Sequence, residues 1–287
     1  MVNKKIVLLS IFISLSISIF SQLRLANIFG DGMVLQRNDS INIWGWSKSG
    51  DKVSVFFQGD EYKTISNKDG KWLVQTKHYF AGGPYSLKIK TQKEEIYLKD
   101  IYVGDIWLCS GQSNMHMKMK SVKENYPEEF NLIENKNIRF IEVPSQLNFS
   151  KSEQDIKNSN WSSLNSKSIY KFSAAAYFFA KDLQPKLKIP IGLILSAVGG
   201  SPVESWMSEK SALKYKAMTK RLNEAKQEGF LENLEKKYKE NRKNWFLEAE
   251  EKLINNDIFY QPKSFDHTYK YKWFPFHKHT GVYWFKK

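Results

Sequence analysis

A single cysteine, Cys109, stands among 287 residues, so no internal disulfide can form and the fold rests on packing. At the end of an apolar run, Cys109 reads as an inert core thiol. Long apolar runs are scarce as well. The longest, Ile6–Phe20, has about 15 residues against the ~20 that span a bilayer, and it follows the basic stretch Met1-Val-Asn-Lys-Lys. Residues 1–21 therefore read as a secretory signal cut after Ser21, which implies a secreted or periplasmic protein without stable membrane insertion. An uncleaved anchor is the alternative. Acidic residues are outnumbered, 30 against 44 Lys and Arg, for a formal net charge of +14. The lysines are spread along the chain with no nucleic-acid-binding motif, so a basic, solvated surface is expected rather than a nucleic-acid partner. Of the five histidines, His277 and His279 have a spacing that binds metal on a strand, yet read as a polar turn. No metal or other cofactor is expected.

Aromatics are abundant, with 9 Trp, 14 Tyr and 19 Phe, enough for a sizeable core and for an aromatic sugar-binding surface. From Leu23 to about Lys99 the text is β. Ile41-Asn-Ile-Trp-Gly-Trp alternates, Val53-Ser-Val-Phe-Phe follows Ser49-Gly50-Asp51, Trp72-Leu-Val follows Asp69-Gly70, and Tyr85-Ser-Leu-Lys-Ile-Lys follows Gly82-Gly83-Pro84. Short strands with Gly/Asp/Pro punctuation predict an antiparallel β-sandwich over 22–99.

An α/β domain is expected over 100–207. Ile101 to Cys109 is an apolar run rich in β-branched and aromatic residues, read as a buried strand. Ile138-Arg-Phe-Ile-Glu-Val is a second strand, and Ser145 to Ser168 a surface loop anchored by Trp161. Phe172 onward is a buried helix ended at Pro185, and Ile191-Gly-Leu-Ile-Leu-Ser a third strand. Strand, helix, strand in this order predicts a parallel sheet. Residues 208–257 carry apolar positions at helical spacing among mixed charges, predicting one or two amphipathic, solvent-exposed helices. The tail, 258–287, turns aromatic.

Between the first strand and the methionines Met115, Met117 and Met119 lies Ser110-Gly-Gln-Ser113-Asn. A serine on a tight glycine turn between strand and helix exposes its hydroxyl where the first helical N–H groups and the helix dipole stabilise an oxyanion. Ser113 is the candidate nucleophile, with an ordinary N-cap as the competing reading. After the third strand, Gly199-Gly200 puts bare N–H groups at the carboxyl edge of the sheet, as an oxyanion donor requires. An ordinary glycine turn is the alternative.

Gly-Asp-Ile-Trp-Leu-Cys followed by Gly-Gln-Ser-Asn-Met resembles the nucleophile block of the sialate O-acetylesterase family, serine esterases of the SGNH hydrolase superfamily. Met33-Val-Leu-Gln-Arg and Gly82-Gly-Pro-Tyr are similar to its amino-terminal β-domain, and Phe172-Ser-Ala, Pro190-Ile-Gly-Leu-Ile and Gly199-Gly-Ser-Pro-Val-Glu-Ser-Trp match it in sequence and order. Gly281-Val-Tyr-Trp-Phe resembles the first strand of a jelly-roll module inserted in many members. The resemblance implies an SGNH-like parallel sheet with flanking helices behind the sandwich. It also implies Ser113 as nucleophile, the N–H groups of Ser113 and of Gly199 or Gly200 as oxyanion donors, and acetylated sialic acids or related glycans as substrates.

The resemblance stops short of a whole enzyme. SGNH esterases take their base from an Asp-x-x-His motif, and none occurs here; the Gln-Gly-Glu block is also absent. His116 stands where the family commonly has glutamate, three positions after Ser113, and is the one candidate base near it. The expectation is an amino-terminal part of such an esterase, incomplete in its α/β domain and with little turnover of its own. The alternative is a non-catalytic, exported glycan-binding or vestigial protein.

Overall fold

A computed structural model describes residues 22–131, 134–146, 148 and 152–254. The signal-like segment 1–21 and the aromatic tail 258–287 lie outside the described residues. Eleven strands are present among them: β1 (Arg24–Leu25), β2 (Val34–Gln36), β3 (Ser40–Trp46), β4 (Lys52–Phe57), β5 (Asp60–Ile65), β6 (Lys71–His78), β7 (Gly82–Lys90), β8 (Glu95–Gly111), β9 (Asn135–Glu142), β10 (Ser162–Leu164) and β11 (Ile191–Ala197). The helices are α1 (Ser113–His116), α2 (Ala174–Leu187), α3 (Glu209–Ala212), α4 (Lys216–Ala225) and α5 (Phe230–Ile254).

Alternation dictates the amino-terminal strands. Ile41 and Ile43 of β3, Val53, Val55 and Phe57 of β4, Trp72 and Val74 of β6, and Leu87 and Ile89 of β7 all turn inward, while the residues between them face outward. β3 lies between β1 and β6 in a three-stranded antiparallel sheet, and β4 lies between β5 and β7 in a second sheet; both supply one shared core.

That second sheet does not end with the β text. β8 runs unbroken for 17 residues across position 99/100. Its first half pairs antiparallel with β7, up to Gly82↔Val103, and its second half pairs parallel with β11, from Asp105↔Ile191 to Gly111↔Ala197. The order continues through β9, parallel to β11, to the antiparallel β10. The partner changes at Gly104, where a Cβ would lie 2.0 Å from the carbonyl oxygen of Pro190. Only a residue without a side chain lets β11 begin so close. Arg37, at the end of the Met33-Val-Leu-Gln-Arg run, holds Asp105 through two hydrogen bonds of 2.7 and 3.1 Å just past this point.

α2 starts under the N-cap Ser173, whose hydroxyl accepts the N–H of Ala176 at 3.2 Å. Ala174, Ala176, Tyr177 and Ala180 pack on Ile138, Phe140, Leu193 and Leu195 of the parallel sheet. Two details differ from expectation. The helix passes through Pro185 to Leu187, because a proline in the last turn forfeits one intrahelical bond, and Lys188 closes it in the left-handed conformation. It is also buried along one face only, with Phe179 exposed. Within the expected loop, Trp161 is anchored by Nε1 donating to the carbonyl of Ile28 at 2.8 Å, and the short β10 follows it.

The apolar run of β8 also departs from expectation. Ile101, Tyr102, Val103 and Cys109 are buried, but Trp107 is 42 % and Leu108 69 % exposed. β2 covers the outer edge of β8 only as far as Gly104, and the Gln36 side chain accepts the N–H of Ile106. Beyond that, among the described residues, no strand pairs with this edge.

Residues from Gln227 onward form a separate unit, described through α5, in which Leu234, Tyr238, Phe246 and Leu247 are exposed among charged side chains. Among the described residues no helix is long and apolar enough to cross a membrane.

Candidate active site

The site lies at the carboxyl edge of the parallel strands, where open α/β sheets bind ligands. β8 ends at Gly111, with φ of +144°, and the next residues make a single helical turn, Ser113–His116. Gln112 is its N-cap and makes no side-chain capping bond, so Ser113 is the first helical residue and not the cap. Ser113 is exposed, and its hydroxyl has no hydrogen-bond partner among the described residues. This helix does not continue through Met117 and Met119. Met119 donates its N–H to Phe172 at 2.9 Å, and Ala174 donates to Met117 at 2.8 Å, so the backbone after His116 is drawn onto the start of α2. Four residues build little macrodipole.

The second half of the site comes from the end of β11. Val198 donates its N–H to the carbonyl of Gly111 at 3.0 Å, which ties the two strand ends together. Gly199 then turns toward Ser113: a Cβ at Gly199 would lie 3.8 Å from Ser113 Cα, 4.0 Å from Ser113 Cβ and 3.7 Å from His116 Nδ1. Gly200, with φ of +78°, is exposed and has nothing within 4 Å of its Cβ position. Ser113, Gly199 and His116 thus converge, while Gly200 stays outside the cluster. The turn is braced from behind by Ser201, whose hydroxyl donates to Val198 O at 2.7 Å and accepts from Trp206 Nε1 at 3.0 Å.

Two charged side chains that sequence reasoning left out complete the cluster. Glu142, the last residue of β9, places Oε1 3.9 Å from His116 Nε2 and Oε2 2.7 Å from Lys118 Nζ. Its position at the carboxyl end of a parallel strand was the available signal. Cys109 lies just beneath, buried, and burial pushes its thiol pKa up, leaving it an inert packing group. His78 sits on β6, in the amino-terminal sheet, with its ring against Phe80. His267, His277 and His279 lie outside the described residues. Among the described residues no group of three or more His, Cys, Asp and Glu side chains is placed to hold a metal.

A parallel sheet flanked by helices, with an exposed serine on the turn after one strand and an exposed glycine turn after its neighbour, fits an α/β hydrolase-like fold. Comparison with known proteins names the family. Residues 103–236 match the family described as carbohydrate esterase, sialic acid-specific acetylesterase. The sialate O-acetylesterase of Homo sapiens is 31% identical over 205 residues, covering 66% of this chain and 39% of that protein. That of Rattus norvegicus is 29% identical over 205 residues. A carbohydrate acetylesterase from Xanthomonas citri superposes with a TM-score of 0.64 at 30% identity, covering 69% of this chain and 45% of that structure. The chain belongs to the sialate O-acetylesterase family of carbohydrate esterases. It spans about two fifths of the length of the curated relatives it matches.

Proposed function

We propose that this chain is a serine esterase of the SGNH type that removes O-acetyl groups from sialic acids or related acetylated glycans. The observation that carries this reading is the approach of Gly199 to the exposed Ser113. Ser113 Oγ attacks the acetyl carbonyl, and the N–H groups of Ser113 and Gly199 receive the developing oxyanion. The sugar alcohol leaves, water hydrolyses the acetyl-serine, and acetate departs. The two amino-terminal sheets that share one core serve as a β-sandwich accessory domain, residues 1–21 direct export, and the basic surface favours an acidic glycan. The test is hydrolysis of 4-nitrophenyl acetate and of an O-acetylated sialoside by wild type and Ser113→Ala. Loss of hydrolysis in Ser113→Ala is the expected result, and equal rates in both would overturn it.

A second reading, non-catalytic glycan binding, is favoured by the Ser113 hydroxyl having no hydrogen-bonded base among the described residues. It expects glycan binding by calorimetry that Ser113→Ala leaves unchanged, without hydrolysis.

A further inference from the structure

We propose that Ser201 and Trp206 aim and strengthen the Gly199 oxyanion donor, and that both are positioning residues for the esterase step. The proposal rests on Ser113 as nucleophile and Gly199 as donor, and it deepens that reading. Its basis is the peptide unit that joins Val198 to Gly199. In a trans peptide the C=O and the N–H point in opposite directions, so whatever holds the Val198 oxygen also sets where the Gly199 N–H points. That oxygen accepts two bonds from Ser201, one from the backbone N–H at 3.2 Å and one from Oγ at 2.7 Å. The Gly199 N–H itself has no acceptor among the described residues. It leaves the peptide on the side away from Ser201, on the residue whose Cβ direction meets Ser113 Cα at 3.8 Å.

Trp206 fixes the direction of the Ser201 hydroxyl. An indole N–H only donates, so the 3.0 Å bond from Trp206 Nε1 obliges Ser201 Oγ to accept it, and the one hydroxyl proton goes to the Val198 oxygen. Bonds arranged donor to acceptor polarise one another, so Trp206, Ser201 and the Val198–Gly199 peptide form a chain that ends on a more strongly donating N–H. The backbone around it is held as well. Val198 donates its N–H to Gly111, and Val198–Ser201 is a β-turn whose third residue, Gly200, has the φ of +78° that a type II turn requires. Trp206 ends the short 3-10 turn Val203–Trp206, in which Ser205 and Met207 donate their N–H groups to the carbonyls of Pro202 and Glu204. A β-turn needs only the Ser201 backbone N–H; the hydroxyl and the indole are additional to it.

Binding and chemistry should respond differently to this brace. The ester carbonyl oxygen carries little negative charge before attack and much more in the tetrahedral intermediate, so a better-aimed N–H acts on the transition state more than on the bound ester. Loss of the brace therefore lowers kcat and leaves KM in place. It should cost less than loss of a whole oxyanion donor, which is about 10²–10³-fold, because the turn still presents the N–H. Ser201 and Trp206 lie at the surface, so the buried core does not depend on either side chain.

The full chain is tested by turnover of 4-nitrophenyl acetate and by the amide proton shift of Gly199 in nitrogen-15-labelled protein. Ser201→Ala should lower kcat about three- to tenfold with KM unchanged, and should move the Gly199 amide proton upfield. Ser201→Thr keeps the hydroxyl and should restore both. Trp206→Phe keeps a ring and loses the N–H, and should give a smaller change in the same direction in each. An unchanged kcat, an effect confined to KM, or an unchanged Gly199 shift in Ser201→Ala overturns the proposal, as does Ser201→Thr performing no better than Ser201→Ala. In each of these cases the esterase reading stands if Ser113→Ala still abolishes hydrolysis. Equal hydrolysis by wild type and Ser113→Ala, with none in either included, overturns both.

Discussion

Arg139 and Asp100 fasten the parallel sheet to the strand that crosses both halves of the molecule. Arg139 donates from Nη1 to Asp100 Oδ2 at 2.8 Å and from Nη2 to Oδ1 at 3.2 Å, and its guanidinium lies 4.2 Å over the Tyr102 ring. Nη1 also donates to the Gly32 carbonyl at 2.9 Å. The Arg139 side chain is 2 % exposed, whereas that of Asp100 is 49 % exposed.

The two partners should therefore respond unequally to substitution. Asp100→Asn keeps the left-handed backbone at this residue but leaves a buried guanidinium with neutral acceptors, at an expected cost of about 1.5–3 kcal/mol. Arg139→Met fills similar volume and releases a carboxylate that water can reach, so it should cost less. Urea unfolding of the two variants measures the difference; equal costs would contradict the burial asymmetry.

Gly104 and Gly199 give a contrasting pair. Gly104→Ala meets the Pro190 carbonyl oxygen and should destabilise by about 3 kcal/mol or more, read as a large drop in thermal midpoint. Gly199→Ala meets only ordinary contacts, so folding should persist, but its methyl enters the space in front of Ser113 and should lower Ser113 reactivity.

Glu129 sets an acid limit to stability. Burial alone would raise its carboxyl pKa, but the ammonium of Lys181 and the hydroxyl of Tyr177, at 2.5 Å, outweigh burial and hold it below the usual carboxylate range. Burial, and then the hydrogen bond to Glu129, push the Tyr177 phenol up. A depressed folded-state pKa contributes stability that is present above the unfolded value and disappears as pH falls through the folded one. Stability against urea should therefore decline on acidification below the ordinary glutamate range, and Glu129→Gln should flatten that part of the profile.

Leu108 and Leu195 separate exposed from buried leucine on neighbouring strands. Leu108→Lys should change stability by no more than about 0.5 kcal/mol, since the side chain is 69 % exposed. Leu195→Ala, at 2 % exposure, should cost about 2–5 kcal/mol. Guanidinium titrations check both. A large loss in Leu108→Lys would mean that this strand edge is covered in solution.

Local pattern was enough for much of the architecture. Alternation at Ile41–Ile43, Val53–Phe57, Trp72–Val74 and Leu87–Ile89 set which face of each strand is inward, because side chains of a pleated strand alternate whatever the partner. Strand, helix, strand at Ile138, Ala174 and Ile191 likewise marked the parallel sheet, and the glycine-flanked Ser113 and Gly199 were legible as a pair of strand-end turns. What the sequence could not determine depended on residues far apart in the chain. β8 spans position 99/100 because β7 and β11 take turns along the same edge, and Gly104 matters only once Pro190 is beside it. The helix after Ser113 stops at one turn because Phe172 and Ala174 offer Met117 and Met119 better backbone partners. Glu142 joins His116 and Lys118 for the same reason: hydrogen-bond geometry and charge proximity are properties of the packed chain, and only tertiary structure brings these residues within 4 Å.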